Sequence, residues 1–178
     1  MNQGSSKLLF PEKHQKMILN KFSKWMLASI LILGVFPCST EVMSGQTHAI
    51  VAPIEESTLD NMITNKENRL VVSFMAAWCG PCIDELPVLN NLYRKYKDQG
   101  LSLVGISIDL EGAAAIQPFI TALKIDFPVY WYGEKAIQKF NLANIPLLLI
   151  VRQGKIYERI PGRRTQEFLD KKIQGILD

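Results

Sequence analysis

Leu70-Val71-Val72-Ser73-Phe74-Met75-Ala76-Ala77-Trp78-Cys79-Gly80-Pro81-Cys82 is the stretch that decides how the rest of the chain reads. The apolar run 70–77 has the composition of a strand buried on both faces. Residues 83–97 follow with helical periodicity, so the cysteines stand at the first turn of a helix. Three positions apart, they share a helix face and lie within bonding reach. Unpaired N–H groups and the dipole at a helix start favour negative charge and so suit a thiolate. Cys79, the outer one, is the expected thiolate. Cys82, a turn further in, is the expected buried thiol that resolves a mixed disulfide. Pro81 removes an N–H that the first turn leaves unpaired in any case and presets φ for the helix.

Two other uses of such a pair fit less well. A structural disulfide closing so short a loop removes little entropy from the unfolded chain. A zinc site needs about four ligands. The remaining cysteine is Cys38 and the histidines are His14 and His48, all upstream of the strand. A CxxC between strand and helix is therefore read as a redox dithiol.

The 178 residues suit one domain plus an extension. Residues 1–24 are polar and basic, with Lys7, Lys13, Lys16, Lys21 and Lys24 against a single acid, Glu12. An apolar run at 25–36 follows, then Pro37-Cys38-Ser39-Thr40. A basic region ahead of a short apolar run reads as a secretory signal, short for a membrane span. Cleavage after Ser44 or Ala49 fits the small residues there, and Met17 would give a more ordinary start. Retention as an uncleaved anchor, or lipid attachment at Cys38, are the other fates; Pro37 stands where a lipid-attachment site has a small residue. All three put the domain outside the cytoplasm, periplasmic or anchored facing that side. The division is 1–48 for leader and linker and 49–178 for the domain.

The net charge of +3 belongs to the leader: residues 1–44 hold five Lys and two acids, leaving fifteen basic and fifteen acidic residues. A neutral domain offers no electrostatic footprint for nucleic acid or an anionic membrane surface.

From Ala49 on, helices and strands alternate without repeats, as one α/β domain. Ser57 or Thr58 is expected to cap a short helix ending at Thr64, and Lys66-Glu67-Asn68 to make a turn before a strand at 69–75. The CxxC helix runs to about Asp98, with Pro87 kinking it and Gln99-Gly100 ending it. A strand at 101–109, a helix at 112–123 interrupted near Pro118, a short strand at 127–131 and a helix at 134–140 follow. Residues 147–151 and 155–160 make a hairpin turning at Gln153-Gly154. Thr165 caps a closing helix with Glu167 in its first turn.

Trp78-Cys79-Gly80-Pro81-Cys82 after an apolar strand, a proline five places beyond the second cysteine, and Ile145-Pro146 opening a hairpin strand together resemble thioredoxin over residues 50–178. The leader, Glu85-Leu86-Pro87 and the extra segment at 110–131 resemble the extracytoplasmic TlpA/ResA-like branch. The resemblance implies a central mixed sheet flanked by helices, with a helix-strand insertion around 110–131. It implies that Cys79 attacks and Cys82 resolves. It makes Pro146 a cis-proline whose loop, with Ile145, Trp78, Gly80 and Pro81, meets the substrate backbone. Trp78 is expected to shield the disulfide, with core packing as the other use of that ring. Minimal thioredoxins carry a buried Asp where Ser73 stands; the ResA-like proteins have an acid at Glu85's position. Three residues after Cys82, Glu85 lies beside it on the helix and can take its proton; a solvated helix Glu is the plainer reading. Trp131 and Tyr132 are read as core or loop anchors, and Arg163-Arg164 as a solvated pair. Leu147 departs from the Thr that usually follows the cis-proline.

The function so implied is reduction of protein disulfides outside the cytoplasm, with no cofactor or metal. Apocytochrome c is one candidate client and a membrane electron donor the re-reducing partner. Gly80-Pro81 leans toward a reductant, against an oxidase or isomerase of secreted proteins. A peroxidase fits less well, because Met75-Ala76-Ala77 replaces the Thr- and Pro-rich approach to a peroxidatic cysteine. A copper-binding module would want a histidine near the cysteines, and none follows His48.

Overall fold

The computed structural model describes residues 49–178. The leader features at 25–36, Cys38 and the cleavage position after Ser44 lie outside the described residues. The described chain runs β1 (Ala52–Pro53), α1 (Glu56–Thr64), β2 (Arg69–Met75), α2 (Gly80–Tyr96), β3 (Leu101–Ser107), α3 (Ala113–Ala122), β4 (Val129–Trp131), α4 (Lys135–Phe140), β5 (Leu147–Arg152), β6 (Lys155–Pro161) and α5 (Gln166–Leu177).

One six-stranded sheet has the order β1-β4-β3-β2-β5-β6. β2 pairs in parallel with β3 and antiparallel with β5, and from Leu70 to Met75 every residue is buried. The apolar run was legible as a central strand because a strand covered on both faces has no polar face to alternate with. β3, β4 and β1 continue the parallel half, while β5 and β6 form the antiparallel hairpin. The expected mixed sheet with flanking helices is the observed fold. The 110–131 insertion supplies α3 and β4, and β4 lies between β3 and β1, so the insertion widens the sheet.

Several boundaries differ from the sequence reading, each for a local reason. β1 was missed: two exposed residues carry no periodicity, and only the pairing of Ala52 and Pro53 with Tyr130 and Trp131 makes them a strand. α1 starts at Glu56 with Glu55 as an N-cap that makes no side-chain bond, so neither Ser57 nor Thr58 caps it. The Ile54 N–H is held by the Trp131 carbonyl at 3.0 Å, so the sheet edge, not a hydroxyl, sets this helix start. α2 begins at Gly80, ahead of the periodic run, because Cys79 is its N-cap and Pro81 sits in its first turn. A 3-10 turn, Lys97–Gln99, and Gly100 at φ 92° end it. Pro118 lies within a continuous α3 instead of interrupting it; the carbonyl it leaves unpaired belongs to the exposed Ala114. β4 starts at Val129, since Pro128 has no N–H to pair and offers only its carbonyl, to Gly105 at 2.9 Å. Thr165 caps α5 as expected, its hydroxyl accepting from the Phe168 N–H at 3.3 Å.

Side-chain ties join the helices in pairs. Asp170 of α5 accepts from Lys95 and Tyr96 of α2, each at 2.9 Å. Lys139 of α4 reaches Glu56 at 2.7 Å and Asp60 at 2.8 Å on α1. Phe74 packs against Phe140 with ring centroids 4.8 Å apart. Among the described residues no helix is long and apolar enough to cross a membrane.

The hairpin turn uses Gln153 at φ 53° and Gly154 at φ 73°. A Cβ on Gly154 would stand 2.4 Å from the Thr64 carbonyl oxygen at the end of α1. Gly154→Ala therefore meets an unfavourable φ and a backbone clash together. It should lower the unfolding free energy by about 1–3 kcal/mol, read from equilibrium denaturant unfolding.

Candidate active site

β2 and β3 are parallel, and both release the chain at the same end of the sheet. β2 delivers Ala76-Ala77-Trp78-Cys79 there and β3 delivers Ile108-Asp109-Leu110. β5 runs the other way, with Leu147 opposite Phe74. Pro146, one residue before, therefore enters the sheet at the end where β2 leaves it. The open end of the parallel strands is where α/β sheets gather ligand-binding groups.

Cys79 and Cys82 are joined in a disulfide, with Cα atoms 5.2 Å apart. Both are buried, Cys82 the more deeply, and the Cys82 N–H points at Cys79 Sγ at 3.3 Å. Cys79 thus occupies the N-cap position of α2 with its sulfur in place of the usual hydroxyl. Trp78 is 66% exposed, which rules out the core-packing use of its ring and leaves it projecting beside the disulfide. Gly80 and Pro81 are exposed in the first turn, Ile145 is half-buried, and Pro146 is buried with the Ile145–Pro146 bond cis. Leu147 is buried as the first residue of β5, so the residue that replaces Thr belongs to the core.

Glu85 is not the solvated helix acid of the plainer reading. It is 1% exposed, one turn beyond Cys82 on α2. Its Oε1 accepts from the Arg164 N–H at 2.8 Å, and its Oε2 has no hydrogen-bond partner among the described residues. Burial raises its pKa above the usual carboxylate value, against the Arg164 N–H and the charges of Arg163 and Arg164, which lower it. The Arg163-Arg164 pair is likewise more than solvated charge. Arg163 Nη1 bonds Asp84 Oδ2 at 3.0 Å, the Arg164 N–H holds Glu85, and the Gly162 N–H donates to the Pro146 carbonyl at 2.8 Å.

Asp109 escaped the sequence reading. It is fully buried, and the Ala77 N–H, two residues before Cys79, donates to its Oδ1 at 2.9 Å and Oδ2 at 3.1 Å. Ser107 Oγ donates to Oδ2 at 2.7 Å, and Trp131 Nε1 donates to the Asp109 carbonyl at 2.7 Å. This cluster fixes the loop that carries Trp78 and Cys79. The available signal was a single acid closing an apolar strand, Ile106-Ser107-Ile108-Asp109. Trp131 and Tyr132 are anchors as read; the Tyr132 hydroxyl bonds Glu56 at 2.9 Å.

Glu85 makes the stability of the oxidised protein depend on pH. Its folded pKa lies above its unfolded value, so its contribution is fully present below about pH 4.5 and is lost as pH rises through that value to the folded pKa. Glu85→Gln removes this loss. The unfolding free energy of the variant relative to the parent should rise between about pH 4 and pH 7, measured by denaturant unfolding of both oxidised proteins. Asp109→Ala should lower stability by about 2 kcal/mol by leaving the Ala77 N–H without its acceptor, and Asp109→Asn should restore part of it in the same assay.

The AhpC/TSA family model matches residues 34–159. Over 113 residues the chain is 34% identical to the thiol-disulfide oxidoreductase ResA of Bacillus cereus, covering 62% of this chain and 65% of that protein. The chain thus spans just under two thirds of the length of that curated relative. StoA from Bacillus subtilis matches with a TM-score of 0.54 at 25% identity, over 61% of this chain and 84% of that one. A thiol:disulfide interchange protein of the thioredoxin family from Chlorobium tepidum matches with a TM-score of 0.58 at 24% identity, over 64% and 82%. The fold is that of thioredoxin, and with the family model matching well over half of its length, the chain belongs to the AhpC/TSA family.

Proposed function

We propose that this protein is a thiol-disulfide oxidoreductase that reduces protein disulfides outside the cytoplasm through the Cys79/Cys82 dithiol. The observation that carries the reading is the Cys79–Cys82 disulfide at the N-terminus of α2, with an N–H directed at Cys79 Sγ. That N–H and the helix dipole favour the charge Cys79 bears once reduced. The Cys79 thiolate attacks one sulfur of a client disulfide, and the client's other sulfur leaves as a thiolate. Cys82 then attacks Cys79 Sγ, the second client sulfur leaves, and two electrons have passed to the client as Cys79 and Cys82 are oxidised.

Cys82 must lose its proton for that second step. Glu85, buried one turn away with a raised pKa and one oxygen unpartnered, is the base that accepts it. Trp78, Gly80, Pro81, Ile145 and Pro146 form the surface that meets the client's backbone. The oxidised protein is re-reduced by a membrane electron donor, and apocytochrome c, with its paired cysteines oxidised to a disulfide, is a fitting client. The basic-then-apolar leader supports the location, whether it is removed, kept as an anchor or lipidated at Cys38. No charge on the domain calls for nucleic acid.

The reduction potential of the Cys79/Cys82 couple tests the direction. A value at or below about −250 mV supports a reductase that must be fed electrons, and one near −120 mV reverses the flow to disulfide donation. A protein with no reversible couple is no oxidoreductase. Cys82→Ser should accumulate mixed disulfides with clients in cells, seen as adducts that a reductant releases on a non-reducing gel; their absence sinks the two-step mechanism.

A further inference from the structure

Three consecutive residues between β6 and α5 each make a bond to a different part of the active site. The Gly162 N–H holds the Pro146 carbonyl at 2.8 Å, the Arg163 guanidinium pairs with Asp84 at 3.0 Å, and the Arg164 N–H holds Glu85 Oε1 at 2.8 Å. We infer that Gly162-Arg163-Arg164 is a strap joining the Glu85 carboxylate to the cis-proline loop, so that Gly162 and Arg164 are positioning residues for the client strand. The inference rests on the proposed role of that loop in holding a client.

The two ends of the strap do the holding. Arg163 and Asp84 are both more than half exposed, and an ion pair there contributes little. The end bonds are backbone N–H groups donating to acceptors on buried residues, where an unmade bond is expensive. Only Arg163 separates the two end residues, so few torsions lie between a shift at Arg164 and Gly162. Gly162 sits at φ 74°, yet a Cβ there would have no heavy atom within 4 Å. Its glycine is therefore required by backbone conformation and not by space. That conformation aims the N–H at Pro146. Glu85 consequently acts a second time, by holding one end of the device that fixes where a client strand can lie.

The choice of substrate separates this positioning from proton transfer. A disulfide-bridged peptide must lie along the Pro146 loop, whereas a small aryl disulfide such as dithiobis(nitrobenzoate) needs only the Cys79 sulfur. The readout is the ratio of the two second-order attack rates, taken by stopped-flow fluorescence on the full-length reduced protein. Gly162→Ala, which strains the backbone without a clash, and Glu85→Leu, which removes the acceptor for Arg164, should each lower this ratio about tenfold, equivalent to about 1.4 kcal/mol. Glu85→Gln, which keeps an amide oxygen for the Arg164 N–H, should hold the ratio within about twofold of the parent. Gly162→Ala decides the matter even if Glu85→Leu does not fold. An unchanged ratio in Gly162→Ala, or equal losses toward both disulfides, overturns the strap. The proton role is read separately, as the rate at which the mixed disulfide resolves in Glu85→Gln. A strap effect with unchanged resolution would remove the proton role alone, and the converse would remove the strap alone.

Discussion

β2 is held between a parallel neighbour on one side and an antiparallel neighbour on the other, and the surroundings of the Cys79–Cys82 disulfide depend on that placement. The parallel partner, β3, ends where β2 ends, so Asp109 arrives beside Ala77. The antiparallel partner, β5, begins where β2 ends, so Pro146 arrives there as well. A sheet with the opposite choice on either side would carry one of these groups to the far edge. With β2 covered on both faces, its register cannot slip without turning its apolar side chains out of the core. The loop carrying Cys79 therefore leaves a fixed point.

Two buried acids flank that point and are treated in opposite ways. The Asp109 carboxylate accepts from the Ala77 N–H and the Ser107 hydroxyl, and the Asp109 N–H donates back to that hydroxyl oxygen. It is a structural acceptor whose hydrogen-bonding capacity is largely used. Glu85 has one donor, the Arg164 N–H, and an oxygen left over in a dry place. Burial of this carboxylate outweighs the Arg164 N–H and the nearby Arg163 and Arg164 charges and favours its neutral form. The well-satisfied acid holds the loop that carries Cys79, and the half-satisfied one stands one turn from Cys82 with an oxygen to spare.

The insertion that distinguishes this chain from a minimal version of the fold contributes to the same edge. β4 widens the sheet, Trp131 clamps the Asp109 carbonyl, and Gln117 of α3 binds the Val51 N–H at 2.7 Å and the Ala49 carbonyl at 3.2 Å. The start of the domain, the insertion and the loop carrying Cys79 are thereby linked through polar contacts to buried or half-buried backbone groups. Such contacts are costly to leave unmade.

By itself the sequence determined the central strand, the dithiol at a helix start, the hairpin with Gly154 at its turn, and the Thr165 cap. Each of these is written in neighbouring residues: an unbroken apolar run, Cys-Gly-Pro-Cys, Gln-Gly between two strands, a threonine three places before the N–H it accepts. The resemblance to thioredoxin added Pro146, whose cis bond no local pattern announces. Tertiary structure alone decided the rest. Ala52 and Pro53 are a strand only because Tyr130 and Trp131 lie beside them. Glu85 can be read from sequence either as a solvated acid next to Asp84 or as a proton acceptor beside Cys82, and only its burial, with the Arg164 N–H bonded to it, excludes the first. Asp109 is an ordinary strand end until parallel pairing brings the Ala77 N–H within 2.9 Å. Local interactions are encoded within a turn or two of the chain. The burial of an acid, and the donor that meets it, are set by residues thirty to eighty positions away, and only the packed sheet brings these together.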